Sequence, residues 1–294
     1  MRPRRAICVT CDAELRRVVE GALAAAGIAV EHAASVPPAV GDVALVIVDR
    51  ATREAAGAEL RAIAAPVVVV GDDLDDDGLI TIMLEAPVSH MVEDPRDRDL
   101  GITSEKLASG DVFGLEKYLA RGTPIGERQI ASDADKRHAM DEVCAWAEAI
   151  GARRPTVHRI ASVADELMMN ALYDAPAVRG PDAPAAARAE LRWGADDRVI
   201  ALSVADAFGA LRQRDVIDHV RRARRERGRP RPERCDQRGA GLGLYLVLAN
   251  VASLVINVAA GRRTEVVGLF DRTTAGRPAA SSVRSLHVFQ AAAP

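Results

Sequence analysis

Over residues 5–95, short apolar runs alternate with runs of helical period. Ala6–Thr10 is a short apolar run. Glu14–Ala26 then sets Leu15, Val18, Val19, Ala22 and Leu23 at helical spacing before Gly27 stops it. Ala29–His32, Ala44–Val48, Pro66–Val70 and Val88–Val92 read as strands, with helices predicted around Arg53–Ala64 and over Leu79–Leu84. Continuous apolar strands alternating with helices imply a parallel sheet covered on both faces. Chemistry in such sheets sits at the carboxyl ends of the strands, where this chain has Asp12 and Asp49.

Residues 96–130 break that rhythm. They are rich in Asp and Arg at first, then carry Val112–Leu119 and Gly122-Thr123-Pro124. The pattern is that of a linker with one or two small helices packing on the domain that follows. Ser132 reads as the N-cap of a helix with Met140, Val143, Ala147 and Ile150 on one stripe, closed by Gly151. His138 lies on this helix as an ordinary surface residue. In the next helix, Thr156–Ala175, Ile160, Ala164, Leu167, Met168, Ala171 and Leu172 form the apolar face. Glu166, Asn170 and Asp174 stand at i, i+4 and i+8 and share a narrow polar stripe.

Leu191–Trp193 and Arg198–Ala205 then form a hairpin pattern that ends in Asp206-Ala207-Phe208-Gly209. An Arg-rich segment leads into Gly239-Ala240-Gly241-Leu242-Gly243-Leu244 and a helix. Strand patterns follow at Leu254–Ala259, Thr264–Phe270 and Ser285–Gln290. Glycines in a turn before a helix let backbone N–H groups face an anion, which the helix dipole favours.

The length of 294 residues fits two domains at roughly 150 residues each. Gly239–Gly261 holds 23 residues without a charge, long enough to span a bilayer. Its glycines, with Asn250, Ser253 and Asn257, favour a turn, a helix and a buried strand instead. The basic start Met1–Arg5 is followed by too short an apolar run for a signal peptide, so a cytoplasmic protein without a membrane partner is expected. Cys8 and Cys11 form a lone C-x-x-C at the end of a strand pattern and read as small apolar residues. Asp72–Asp77 lacks the glycine and distal glutamate of a calcium loop and reads as a solvated loop.

The net charge of -3 conceals an asymmetry. Residues 212–238 hold 11 Arg and 5 acids, a net of +6, on a remainder of -9. Without an aromatic residue for base stacking, this segment points to a triphosphate or an acidic partner protein, not to nucleic acid.

The order of the first half, with Leu45-Val46-Ile47-Val48-Asp49, resembles the response-regulator receiver domain, which implies a flavodoxin-like fold over 1–95. The resemblance makes Asp49 the position of the phosphoacceptor, with Asp12 left from the acidic pair that holds Mg²⁺. The Ser/Thr that ends strand four is missing, since Gly71 stands there. Where the family has Lys-Pro, this chain has Asp94-Pro95. A phosphoryl group needs cationic neutralisation, so a non-phosphorylated docking domain is expected.

In the second half the order Glu166-x-x-x-Asn170, Asp206-x-x-Gly209, Gly239-x-Gly241-x-Gly243 resembles the GHKL (Bergerat-fold) ATPases. That implies, over 131–294, an α/β sandwich with a mixed sheet under helices, binding ATP and Mg²⁺. By this resemblance Asn170 coordinates the Mg²⁺ and Glu166 is the general base. Asp206 accepts a hydrogen bond from adenine, and Gly209 lets the backbone approach the base. Gly239, Gly241 and Gly243, followed by Leu244, close over the phosphates, which Arg238 reaches as a cation; Asp174 completes the polar stripe. Phe208 and Ala210 replace two glycines of the family pattern. Phe208 either narrows the adenine pocket or turns into the core.

Compactness and the absence of a phosphoacceptor helix bring the anti-sigma-factor serine kinases nearest within that family. They imply a kinase-like regulator that switches between signalling partners, with a homodimer left open. The alternative is a nucleotide-gated scaffold that transfers no phosphate.

Overall fold

The structure, a computed structural model, describes residues 4–38, 40–71, 88–96, 98–176, 188–218, 242–272 and 285–291. It is a mixed α/β fold in two compact units: Met1–Val112 with Arg284–Ala292, and Phe113–Val283 with Ala293–Pro294. The acidic run 72–77, the helix expected over 79–84 and the Arg-rich segment 219–241 lie outside the described residues.

In the first unit β1 (Arg5–Val9), β2 (Ala29–Ala33), β3 (Leu45–Asp49), β4 (Val67–Val70) and β5 (Val88–Val92) are all parallel, in the order β2-β1-β3-β4-β5. Parallel pairing requires crossovers. The first is α1 (Ala13–Ala25), capped by Asp12, whose carboxylate accepts from the N–H groups of Glu14 at 2.7 Å and Leu15 at 3.1 Å. Gly27, at φ +68°, ends it in the left-handed region that glycine adopts without strain. The helix expected over Arg53–Ala64 is two short ones, α2 (Arg50–Ala55) and α3 (Gly57–Arg61). Ala56, at φ -115° and ψ 30°, leaves the helical region between them.

The segment expected as a linker to pack on the domain that follows opens with α4 (Arg98–Ser109), which belongs to the first unit and packs on α1. Gly101 lies against the Ala22 carbonyl at this contact. The last strand of the chain, Ser285–Gln290 (β11 in chain order), also returns to this unit. It runs antiparallel to β5, with His287 opposite His90. Both histidines are buried; His287 stacks on His90 and on Phe289, and His90 meets Phe289 at a tilt, ring centroids 4.4 to 5.8 Å apart. The Lys106 ammonium lies 3.8 Å from the Phe289 centroid.

The second unit is a five-stranded sheet in the order β9-β10-β8-β7-β6: β6 (Ile125–Ile130), β7 (Ala189–Ala195), β8 (Val199–Asp206), β9 (Ser253–Ala259) and β10 (Arg263–Asp271). Its pairs among the described residues are antiparallel, as the tight turns between β7 and β8 and between β9 and β10 dictate. In the first unit the pairing is mixed, since β11 runs antiparallel to β5 beside four parallel pairs.

Helices α5 (Asp133–Ala149), α6 (Arg154–Met169) and α7 (Leu242–Asn250) belong to this unit; α6 packs on both α5 and α7, and on β8 and β10. At Gly268 of β10 the missing side chain admits Val251 and Val163. The opposite face meets the 3₁₀ turn Leu115–Tyr118, which packs on β8. There the Gly114 N–H donates to the buried Glu265 carboxylate at 2.9 Å, and so does the Asn257 amide at 2.9 Å. Among the described residues no helix is long and apolar enough to cross a membrane. The uncharged stretch supplies α7 and β9.

Candidate functional site

Glu166 is half-buried on α6, one residue before the buried apolar pair Leu167 and Met168. The helix carries it against the start of α7. A Cβ on Gly243 would fall inside the Glu166 carboxylate and lie 2.9 Å from its Cγ. Gly243 and the glutamate, far apart in sequence, therefore meet at one position. Burial pushes the Glu166 carboxyl above the ordinary range; the charges of Asp165 and Asp174 push it further, and Lys136 opposes them.

At Asn170 the helix widens. Asn170–Asp174 form one π turn, closed by the Ala175 N–H donating to the Asn170 carbonyl. Single π turns inside helices recur at functional sites, because the extra residue redirects side chains. Asp174, at the end of this turn, contributes its charge to the raised Glu166 carboxyl. The half-buried Asn170 amide has no hydrogen-bond partner among the described residues. Tyr173 donates its hydroxyl to Asp133 and ties the π turn to α5.

Asp206 ends β8, the strand on which the π turn packs. One of its carboxylate oxygens accepts from the N–H groups of Phe208 at 2.7 Å and Gly209 at 3.3 Å, a turn built by the side chain itself. Burial raises the Asp206 carboxyl. The two N–H groups and the cross-strand Thr264 lower it part of the way back.

Gly209 has a role beyond the one expected. At φ +58° its Cβ position meets the Ala259 carbonyl and the N–H groups of Arg262 and Gly261, and its carbonyl accepts from Gly261 at 3.1 Å. Its missing side chain thus seats the Asp206 loop on the β9–β10 turn. Phe208 is 2% exposed. Leu244 is buried on α7, whereas Arg238, Gly239 and Gly241 lie outside the described residues.

In the first unit Asp49 is engaged on both oxygens. One caps α2 by accepting from the Thr52 N–H at 2.6 Å, and the other accepts the buried Thr10 hydroxyl. Asp12 caps α1. Arg96, two residues after Asp94, is bound by Glu14 and lies 3.7 Å from Asp94. Cys8 and Cys11 are free, and burial pushes the Cys8 thiol up to about 11, which suits a packing residue and not a redox one. His138 is exposed on α5.

One residue of the site escaped the sequence pattern. Lys136 of α5 pairs with Asp165 at 2.7 Å, its side chain only 17% exposed. The available signal was rarity: it is one of three lysines beside 36 arginines. Among the described residues no three His, Cys, Asp or Glu side chains are grouped to hold a metal ion. A lone amide oxygen at Asn170 fits instead a hard cation that arrives with phosphates as its main ligands. The sequence matches no known protein-family profile and no curated protein.

Proposed function

We propose that the second unit is an ATP-binding module of the GHKL class, and that the chain is a kinase-like signalling regulator acting by partner switching. The observation that carries this reading is the seating of Glu166 on Gly243, which joins the polar stripe to the glycine turn. In this reading Asn170 holds the Mg²⁺ that accompanies the triphosphate, whose chemistry is to neutralise phosphate charge. Asp206 takes the adenine amino group on its other carboxylate oxygen. Glu166 accepts the proton of the attacking hydroxyl or water. Gly243, with Gly239 and Gly241, presents backbone N–H groups to phosphate, and Arg238 adds a cation.

The first unit is proposed as a receiver-like docking domain. Its strand order β2-β1-β3-β4-β5 is that of flavodoxin-like folds. The engagement of both Asp49 oxygens supports docking over phosphate acceptance.

Mg-ATP at a hundredfold excess over Kd contributes about 2.7 kcal/mol, so the melting temperature should rise by roughly 5–10 °C. Asn170→Ala and Asp206→Ala should remove most of that rise, and no rise in the native protein would end the reading. A second reading is a nucleotide-gated scaffold that transfers no phosphate: burial and the charges of Asp165 and Asp174 disfavour the ionised Glu166 that a general base requires. Release of ADP that disappears in Glu166→Ala separates the enzyme from the scaffold.

A further inference from the structure

The histidine pair between β5 and β11 has no part in the chemistry proposed above. Ser285, Leu286 and His287 of β11 lie opposite Val92, Met91 and His90 of β5. The two imidazole rings stack with centroids 5.6 Å apart, and both meet Phe289. One nitrogen of each ring, Nδ1 of His90 and Nε2 of His287, is buried with no hydrogen-bond partner among the described residues. The other nitrogen of His287 lies 3.5 Å from the Thr103 hydroxyl. The charged groups around the pair come from α4. Lys106 is buried, its ammonium 3.8 Å from the Phe289 centroid. Asp99 accepts the Ser285 hydroxyl, Glu105 is held by Arg4, and Arg98 is exposed. Strand β4 contributes only valines, and β5 and β11 carry no other titratable side chain.

An imidazolium has two N–H donors and a full charge. Here each would leave a donor unpaired, face a second imidazolium 5.6 Å away, and share its surroundings with an ammonium already in place. Separating the two strands relieves all three penalties at once. Strand β5 is fastened to β4 along its other side, so the strand that yields is β11.

We propose that the β5–β11 junction is an acid-operated catch: neutral His90 and His287 hold the last strand down, and their protonation releases β11 from β5 while β1–β4 stay paired. Burial, and after it the neighbouring charges, hold both imidazoles below their ordinary range. The released strand and its partner thus take up protons near pH 6.5 that the docked pair refuses, and release grows as pH falls through that value. The catch is independent of what the second unit binds.

Hydrogen exchange of the full chain without nucleotide tests this, read by mass spectrometry at pH 7.5 and 5.5 and corrected for the intrinsic rates. Peptides covering β5 and β11 should lose protection about tenfold per histidine, about a hundredfold in all. Their exchange should ignore low urea, as local opening does. Peptides covering β1 and β3 should stay better protected at both pH values and follow urea, as opening of the whole unit does. His90→Phe should shrink the loss at β11 to about tenfold. If that variant does not fold, His287→Leu gives the same reading, and the native profile decides without either. Strand β11 keeping its protection at pH 5.5 overturns the proposal. So does loss only in step with β1 and β3 at the same urea dependence, or a folded variant that retains the full hundredfold.

Discussion

The carboxylate of Glu166 occupies the place where a side chain on Gly243 would begin. A glycine at the second position of α7 is a poor choice for a helix, which alanine would favour by up to about 1 kcal/mol. Its presence is explained by what approaches it.

Gly243→Ala should therefore displace Glu166 and cost about 1–3 kcal/mol by overpacking. In a Glu166→Ala background the same change should be neutral or stabilising. Urea unfolding of the two single variants and the double variant measures this coupling, expected above about 1 kcal/mol. Additive effects would mean that the two residues do not share the space.

Gly209→Ala should destabilise the second unit by about 2 kcal/mol or more, since positive φ and a clash with the Ala259 carbonyl add together. The Asp206 turn should suffer with it. Thermal unfolding reads the stability, and nucleotide titration reads the loosened Asp206.

Acid should loosen the first unit. His90 and His287 are buried and neutral; burial holds His90 well below 6.5 and His287 down to about 3, with Lys106 adding to both. The unfolded chain takes up protons near 6.5 that the folded one refuses, so stability falls as pH drops through that value. Two such histidines cost about 2 kcal/mol together between pH 6.5 and 5.5. Denaturant melts across that range should show the loss, and His90→Phe should reduce it by about half. A flat profile would count against the neutral pair.

Asp49 is expected to behave as a structural residue. Asp49→Ala removes the cap of α2 and strands the buried Thr10 hydroxyl, for a loss of about 2–3 kcal/mol; Asp49→Asn should lose less. Incubation with acetyl phosphate should add no mass, whereas one phosphoryl group at Asp49 would restore the receiver chemistry.

Elements with a strong apolar period were legible in the sequence. Val88–Val92 and Ser285–Gln290 fall where the pattern placed them, and Ser132 caps its helix. Helix α4 was hidden because its buried face is largely polar: Thr103, Ser104 and Lys106 lie inside, and Gly101 interrupts the pattern. Strand β6 has apolar residues only at its ends and an exposed centre, so its alternation is invisible. The π turn leaves no periodic mark. At the candidate site, the spacing of Glu166, Asn170 and Asp206 is legible along the chain, but Lys136 reaches Asp165 from another helix. The sheet edge that receives the last strand is likewise a tertiary choice, unwritten in the strand itself.

That last strand has a consequence for synthesis. A ribosome completes β5 and must add roughly 190 more residues before β11 emerges to cover its edge. Until then the first unit holds an unpaired edge with His90 at its centre, and residues 113–283 of the second unit are made in the interval. The first unit is thus closed by a strand made after nearly all of the second. A protein interrupted anywhere between those points would keep that edge open to pairing with other chains.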